Sequence, residues 1–271
     1  MCIRDRFTPV AKALDGIAVL VTRPVHQAEN LCALIERQGG NAIRFPSIEI
    51  AEPRDKQKLA DILQRLREFD IAIFISPNAV DYALQAMMDQ GDGLPEHIKV
   101  AAVGKGSAGQ LNKHGVSVDI FPSQQFNSEA LLAMDEMQAI AAKRIVIFRG
   151  EGGRELLADT LSSRGAIVEY AECYRRSKPE VGTNELFEAL SQGELDIVTA
   201  TSNEGLQNLY DMVVEPGRSD LLKLQLIVVS ERSKRLAEEL GFKQPAIIAH
   251  NASDEMLVEA ITKWRESRPA S

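Results

Sequence analysis

The chain has 271 residues, 45% of them apolar, enough for about two domains of roughly 100–200 residues with packed cores. Its 31 Lys and Arg against 39 Asp and Glu give a net charge of -8, which argues against nucleic-acid binding driven by bulk charge. No apolar run approaches the roughly 18–20 residues of a membrane-spanning helix. Met1 to Asp15 carries Arg4 and Arg6 without the apolar stretch of a signal peptide, and residues 1–15 are expected to be a disordered or non-native tail. From Gly16 onward, short β-rich apolar runs alternate with segments of helical period, the pattern of stacked βα units and parallel sheets. Strands are predicted at Ile17–Val21, Ala42–Phe45, Ile71–Ile75, Val100–Val103, Val116–Ile120, Ile145–Phe148, Ile167–Tyr170, Ile197–Ala200, Leu226–Val229 and Ala246–Ala249. Ala28, Leu31, Cys32 and Ile35 space one apolar helix face, closed by Gly39-Gly40, and Leu59, Ile62, Leu63 and Leu66 space another. Ser128 and Asp254 each precede a Glu and an apolar run and are predicted N-caps. Trp264, with Lys263 and Arg265, falls on the last helix, where it covers core; residues 266–271 form a second tail.

Sliding the sequence along itself by 126 residues aligns several elements at once. Phe69-Asp70-Ile71 falls on Leu195-Asp196-Ile197, and Val103, Ser107 and Gly115 fall on Val229, Ser233 and Gly241. Ser128-Glu129 falls on Asp254-Glu255, while Ile17–Val21 matches Ile145–Phe148 with a one-residue slip. The chain is an internal duplication, with exposed crossing stretches expected at Pro46 to Pro53 and at Arg175 to Gly182.

Each predicted strand leads through small or hydroxyl residues into a helix, at Thr22-Arg23-Pro24, Ser76-Pro77-Asn78, Gly104 to Ser107, Arg149-Gly150, Ser202-Asn203 and Ser230 to Ser233. Ligands of open α/β sheets bind beyond the carboxyl ends of strands, where helix N-termini offer N–H groups to anions. Two such domains facing one another would form a cleft ringed with anion-binding loops; helix caps are the other reading of these hydroxyls. The Gly-rich run Arg149-Gly150-Glu151-Gly152-Gly153-Arg154 lacks the Lys-Ser/Thr of a phosphate loop and the spacing of a dinucleotide fingerprint. Arg149 and Arg154 are placed to grip carboxylates or to form surface ion pairs. Cys2, Cys32 and Cys173 are too few and scattered for a disulfide scaffold, and four histidines show no zinc-ligand spacing, so a reduced, cytoplasmic, metal-free protein is expected. No Gly-x-Ser-x-Gly elbow is present. Tyr174, following the seventh predicted strand near the second crossing, is either a proton or hydrogen-bond donor to a ligand or a structural tyrosine.

Over nearly all of residues 16–265 the chain resembles the uroporphyrinogen-III synthase family. The matching pieces are Val21-Thr22-Arg23-Pro24, Pro46, Phe74-Ile75-Ser76-Pro77-Asn78-Ala79-Val80, Val103-Gly104 with Ser107-Ala108, Ser128-Glu129-Ala130-Leu131-Leu132, Arg149-Gly150, Gly153-Arg154, Tyr174-Arg175, Thr201-Ser202 and Leu240-Gly241, in order and spacing. The resemblance implies an α/β fold of two similar domains, parallel sheets flanked by helices, joined by a two-stranded linker. The first domain is discontinuous, 16–47 plus 178–265, and the second is 48–177. It implies cyclisation of hydroxymethylbilane to uroporphyrinogen III, with inversion of ring D through a spirocyclic intermediate and no cofactor. The substrate carries eight carboxylates, so the local field must oppose the global charge, and Arg23, Lys105, Arg149, Arg154 and Arg232 are where to look for it. Carried over residue by residue, the resemblance makes Tyr174 the catalytic candidate, assisting departure of the bilane hydroxyl. Thr22, Arg23, Ser76, Asn78, Lys105, Ser107, Ser128, Arg149, Gly150, Arg154, Ser202, Asn203 and Ser233 are the substrate-binding candidates. Ser107 and Ser233 stand where threonine is usual, and Val229-Ser230-Glu231-Arg232 replaces a typical Gly-Pro turn. Hydroxymethylbilane is the expected partner of a monomer, with transient contact to hydroxymethylbilane deaminase, and with neither nucleic acid nor membrane. A non-catalytic bilobal tetrapyrrole-binding or regulatory module is the alternative.

Overall fold

The structure is a computed structural model that describes residues 12–268. The chain divides into two compact units, with crossings at Glu49/Ile50 and at Ser177/Lys178. The discontinuous unit holds β1 (Ala18–Val21), α1 (Val25–Arg37), β2 (Asn41–Arg44), α7 (Asn184–Ser191), β8 (Ile197–Thr199), α8 (Asn203–Met212), α9 (Gly217–Leu221), β9 (Gln225–Val228), α10 (Glu231–Leu240), β10 (Ile247–Ile248) and α11 (Asp254–Glu266). Its sheet runs β10-β9-β8-β1-β2, every neighbouring pair parallel. The continuous unit holds β3 (Glu49–Ala51), α2 (Lys56–Gln64), β4 (Ile71–Phe74), α3 (Pro77–Asp89), β5 (Lys99–Ala102), α4 (Lys105–Lys113), α5 (Ser128–Leu132), β6 (Arg144–Gly150), α6 (Leu156–Ser163) and β7 (Ile167–Ser177). Here the order is β3-β7-β6-β4-β5, with the β4–β5, β4–β6 and β6–β7 pairs parallel.

Each sheet is covered on both faces, so β1 and β4 are apolar throughout, as parallel strands under helices tend to be. All four residues of β4 are buried, and Phe74 stacks on Phe148 with centroids 4.8 Å apart. Helix α3 presents Ala79, Val80, Ala83, Leu84 and Met87 to that face, a spacing of one helical stripe. In the discontinuous unit, Leu31, Cys32 and Ile35 of α1 meet Leu257, Ile261 and Trp264 of α11 over the opposite face from Leu206 and Leu209.

The duplication is written directly in the strand starts. Ala18 and Arg144, Asn41 and Ile167, Ile71 and Ile197, and Lys99 and Gln225 are each 126 residues apart. The one-residue slip suggested by the apolar pattern is therefore absent from the strand starts. Both sheets share the order β2-β1-β8-β9 or β7-β6-β4-β5, but each borrows its first two strands from the other repeat. A single carboxylate pins each borrowed strand. The Asp70 side chain accepts the backbone N–H of Arg144, first residue of β6, at 2.8 Å, and Asp196 accepts that of Ala18, first residue of β1, at 2.9 Å. Lys143 holds the other Asp70 oxygen at 2.8 Å.

That ammonium, and then the Arg144 N–H, hold the Asp70 carboxyl below its usual 3.8, and Arg65 likewise holds Glu169 below its usual 4.5. Groups depressed by folding stabilise fully above their unfolded values, and that stability is lost as pH falls through the lower folded values. Some stability is thus expected to be lost below about pH 4. Asp70→Asn, which keeps an acceptor for Arg144 but loses the charge pair, should flatten the pH dependence there, read from urea midpoints between neutral and acid pH.

Four expectations are corrected. Val116–Ile120 forms no strand: only a bridge between Ala101 and Ile120 remains. The strand predicted over Ile167–Tyr170 continues to Ser177, so Tyr174 lies within it, and β3 was not predicted at all. The N-caps are Asn127 and Ser253, one residue before Ser128 and Asp254, which open their helices. Leu14, placed in the tail by composition, is fully buried, and its N–H reaches the Gln38 carbonyl. The expected tails otherwise lie largely outside the described residues.

Candidate functional site

The predicted site residues lie at the carboxyl ends of the two sheets. In the continuous unit, β4 leads through Ile75 to Ser76, whose Oγ accepts the Ala79 N–H at 3.1 Å and caps α3, with Pro77 at the first helical position. The same Oγ is 3.1 Å from the Tyr174 hydroxyl. Tyr174 is 3% exposed, its ring 5.9 Å from that of Tyr82, whose hydroxyl donates to the Ile50 carbonyl.

A bulge aims this tyrosine. The register of β6 against β7 pairs Arg149 with Glu172 but Gly150 with Tyr174, leaving Cys173 as the extra residue. Strand alternation is broken there, so Cys173 and Tyr174 are buried in succession. Gly150 is required opposite: a Cβ at that position would lie 2.7 Å from two carbons of the Tyr174 ring. Burial pushes the Cys173 thiol up to about 12 and raises that of Cys32, so both are inert thiols.

Arg149 sits beside this seat, turned into the protein. It is 2% exposed, stacked 4.4 Å over Tyr170, with its guanidinium donating to the Gly150 and Gly152 carbonyls and lying 3.5 Å from Glu155. The guanidinium expected to grip carboxylates is consumed in shaping the loop. Gly153 crosses it with φ +106°, where a Cβ would meet the guanidinium at 2.6 Å. Arg154 is largely exposed and 3.4 Å from Glu129. Lys105 opens α4 in the open, its Nζ 4.5 Å over Phe126, and the cap of that helix, Gly104, has no side chain to occupy the first N–H groups. Asn78 is half-buried in the first turn of α3, and Ser128 is half-buried beside the capping Asn127.

In the discontinuous unit, Thr22 is buried and donates to the Thr199 carbonyl at 2.6 Å, while Ser47 donates to the Thr22 carbonyl. Arg23 is tied to Asp254 and the Ala252 carbonyl, fastening the loop before α11. Ser202 caps α8 through the Gly205 N–H. Ser230 caps α10, so the departure at Val229-Ser230-Glu231-Arg232 is a regular helix start. Asn203 accepts the Ser233 hydroxyl at 2.7 Å, linking the two helix starts. Arg232 is exposed.

Ser107 and Ser233, expected to present hydroxyls, are 2% and 1% exposed. Each is the third residue of its helix and shares a buried stripe with Leu111 or Ala237, four residues on. That spacing was present in the sequence and marks them as packing residues. Tyr82, Asn127 and the bulge at Cys173 escaped the sequence reading; only Asn127, a strong cap type next to Ser128, carried a usable signal. Among the described residues, no group of three or more His, Cys, Asp or Glu side chains is placed to hold a metal ion, and no helix is long and apolar enough to cross a membrane.

A sequence-family profile described as uroporphyrinogen-III synthase HemD matches residues 29–259. The chain is 36% identical over 246 residues to the uroporphyrinogen-III synthase of Escherichia coli, covering 90% of this chain and 100% of that one. It is 39% identical over 249 residues to that of Salmonella typhimurium, with the same coverage. Among solved structures, a mutant uroporphyrinogen III synthase of the extremely thermophilic bacterium Thermus thermophilus superposes with a TM-score of 0.58 at 20% identity, covering 91% of this chain and 99% of that chain. The Helicobacter pylori uroporphyrinogen-III synthetase gives 0.57 at 15% identity, covering 92% and 99%. At these identities the structural likeness speaks for the fold.

Proposed function

The chain belongs to the uroporphyrinogen-III synthase family, and on that premise we infer that it closes hydroxymethylbilane to uroporphyrinogen III with inversion of ring D. The observation that carries this reading is the match along the whole length of the relatives, with Tyr174 seated at the carboxyl edge of its sheet. The unassisted reaction closes the bilane without inversion to the type I isomer. The protein must therefore favour one geometry of ring D and help the hydroxyl leave, work done by positioning and by placed dipoles.

Eight carboxylates on the substrate call for donors rather than a single cation. In the unit that holds Tyr174, the N–H groups opening α3 and α4 offer such donors at the strand ends, with Asn78, Lys105, Ser128 and Arg154; the other unit offers its own at α8 and α10, with Ser202 and Asn203. Such donors act locally, which reconciles a polyanionic substrate with a net charge of -8. Tyr174 acts as the acid toward the departing hydroxyl. Tyr174→Phe should slow type III formation by about 10²-fold, the lower end for a lost acid, without abolishing it.

The test is to generate hydroxymethylbilane in place with its deaminase, oxidise the products and separate the uroporphyrin isomers. Type III in excess over the enzyme-free control is expected; type I alone would favour a non-catalytic tetrapyrrole-binding module. We place the protein in the cytoplasm as a monomer taking an unstable substrate from the deaminase. The buried free thiols of Cys32 and Cys173 suit a reducing compartment.

A further inference from the structure

We propose that Ser76 is a positioning residue for Tyr174, the latch of a three-part seat that directs the phenol's proton outward. The proposal rests on the reading of Tyr174 as the acid. Three independent features converge on one side chain. The extra residue Cys173 turns Tyr174 inward, and the bare Cα of Gly150 leaves room for its ring. Ser76 touches its hydroxyl.

The hydrogen bonds of Ser76 leave it free to donate in that last contact. Ser76 Oγ has one proton and two lone pairs, and one lone pair takes the Ala79 N–H. Either oxygen can donate in the contact with Tyr174 Oη, and the latch takes Ser76 as the donor, the arrangement that leaves the phenolic proton for a third group. With substrate bound, that group is the bilane hydroxyl. As its C–O bond breaks, the phenol gives up its proton, water leaves and the azafulvene cation forms. The phenolate keeps the Ser76 hydrogen bond and regains a proton when the α-carbon of ring D loses its own after closure. Because the same Oγ caps α3, the phenolate also lies at the positive end of a helix of 13 residues. The serine, read from sequence as a substrate hydroxyl, serves the tyrosine instead.

Ser76→Ala removes latch and cap together, whereas Ser76→Gly removes the latch but keeps a residue that starts helices well. Both should lower kcat for type III formation about tenfold with KM little changed, and Ser76→Thr should restore most of it. In a Tyr174→Phe background, Ser76→Gly should have no further effect. Equal losses with and without Tyr174, a kcat that follows melting temperature across the Ala and Gly variants, or a loss confined to KM would each overturn the proposal. Wild-type protein that makes no type III isomer would refute the functional reading itself. Full activity of Tyr174→Phe would remove the acid and this latch with it, while slow Tyr174→Phe beside fully active Ser76 variants would refute the latch alone.

Discussion

Replacing Gly150 by alanine is expected to cut type III formation by about 10²-fold in a protein that still folds. The added Cβ would stand 2.7 Å from Cε2 and Cζ of Tyr174, closer than side-chain carbons approach, and 3.1 Å from its hydroxyl. The ring cannot retreat easily. It is 3% exposed, faces Tyr82, and is followed by strand pairing through Glu151 N–H to the Tyr174 carbonyl. Displacements near 1 Å at a reacting group cost about 10²-fold. The loss should approach that of Tyr174→Phe, and combining the two substitutions should add little, because both disable one group. The backbone of Gly150 itself sits in an ordinary region, so alanine there is excluded by space alone. Unchanged kinetics of Gly150→Ala would mean that the phenol's location does not matter to the reaction.

The second large effect concerns stability. Phe74→Ala should cost about 3–5 kcal/mol, because the ring is fully buried between helices and stacked on Phe148. Its repeat partner 126 residues on is Ala200, so the aromatic pair strengthens the continuous unit only. The single tryptophan, Trp264, reports from the other unit. Circular dichroism should therefore show an early transition in urea that the tryptophan signal does not follow. A single shifted transition in both signals would show that the units unfold together.

The repeat and the central strands were legible because a parallel sheet covered on both faces demands continuous apolar runs, as in Ile71–Phe74. What eluded the sequence was carried by pairing rather than burial. Strand β7 continues through Glu172, Arg175 and Arg176, residues whose polarity hides extended backbone held by its neighbours β6 and β3. Val116–Ile120 has strand composition but finds only one bridge. Tyr174, Ser76 and Gly150 were each singled out, but their meeting was not foreseeable, because the bulge at Cys173 leaves no mark in composition. Arg23 and Arg149 lie in the loops where the sequence placed them, and there they meet partners within the chain. An arginine in a Gly-rich loop satisfies nearby carbonyls as readily as it meets a ligand.

The exchange of opening strands between the repeats has a consequence for how the protein is made. As the chain leaves the ribosome, β1, α1 and β2 emerge before the continuous unit, yet β8, against which β1 pairs, is translated about 180 residues after β1. Everything that the continuous unit needs, by contrast, arrives in one uninterrupted stretch ending at Ser177. The middle of the chain can thus finish first, with the opening segment held in waiting until Asp196 appears to receive the Ala18 N–H. A nascent chain arrested after Ser177 should already protect β4 and β6 from proteolysis while β1 remains open to it.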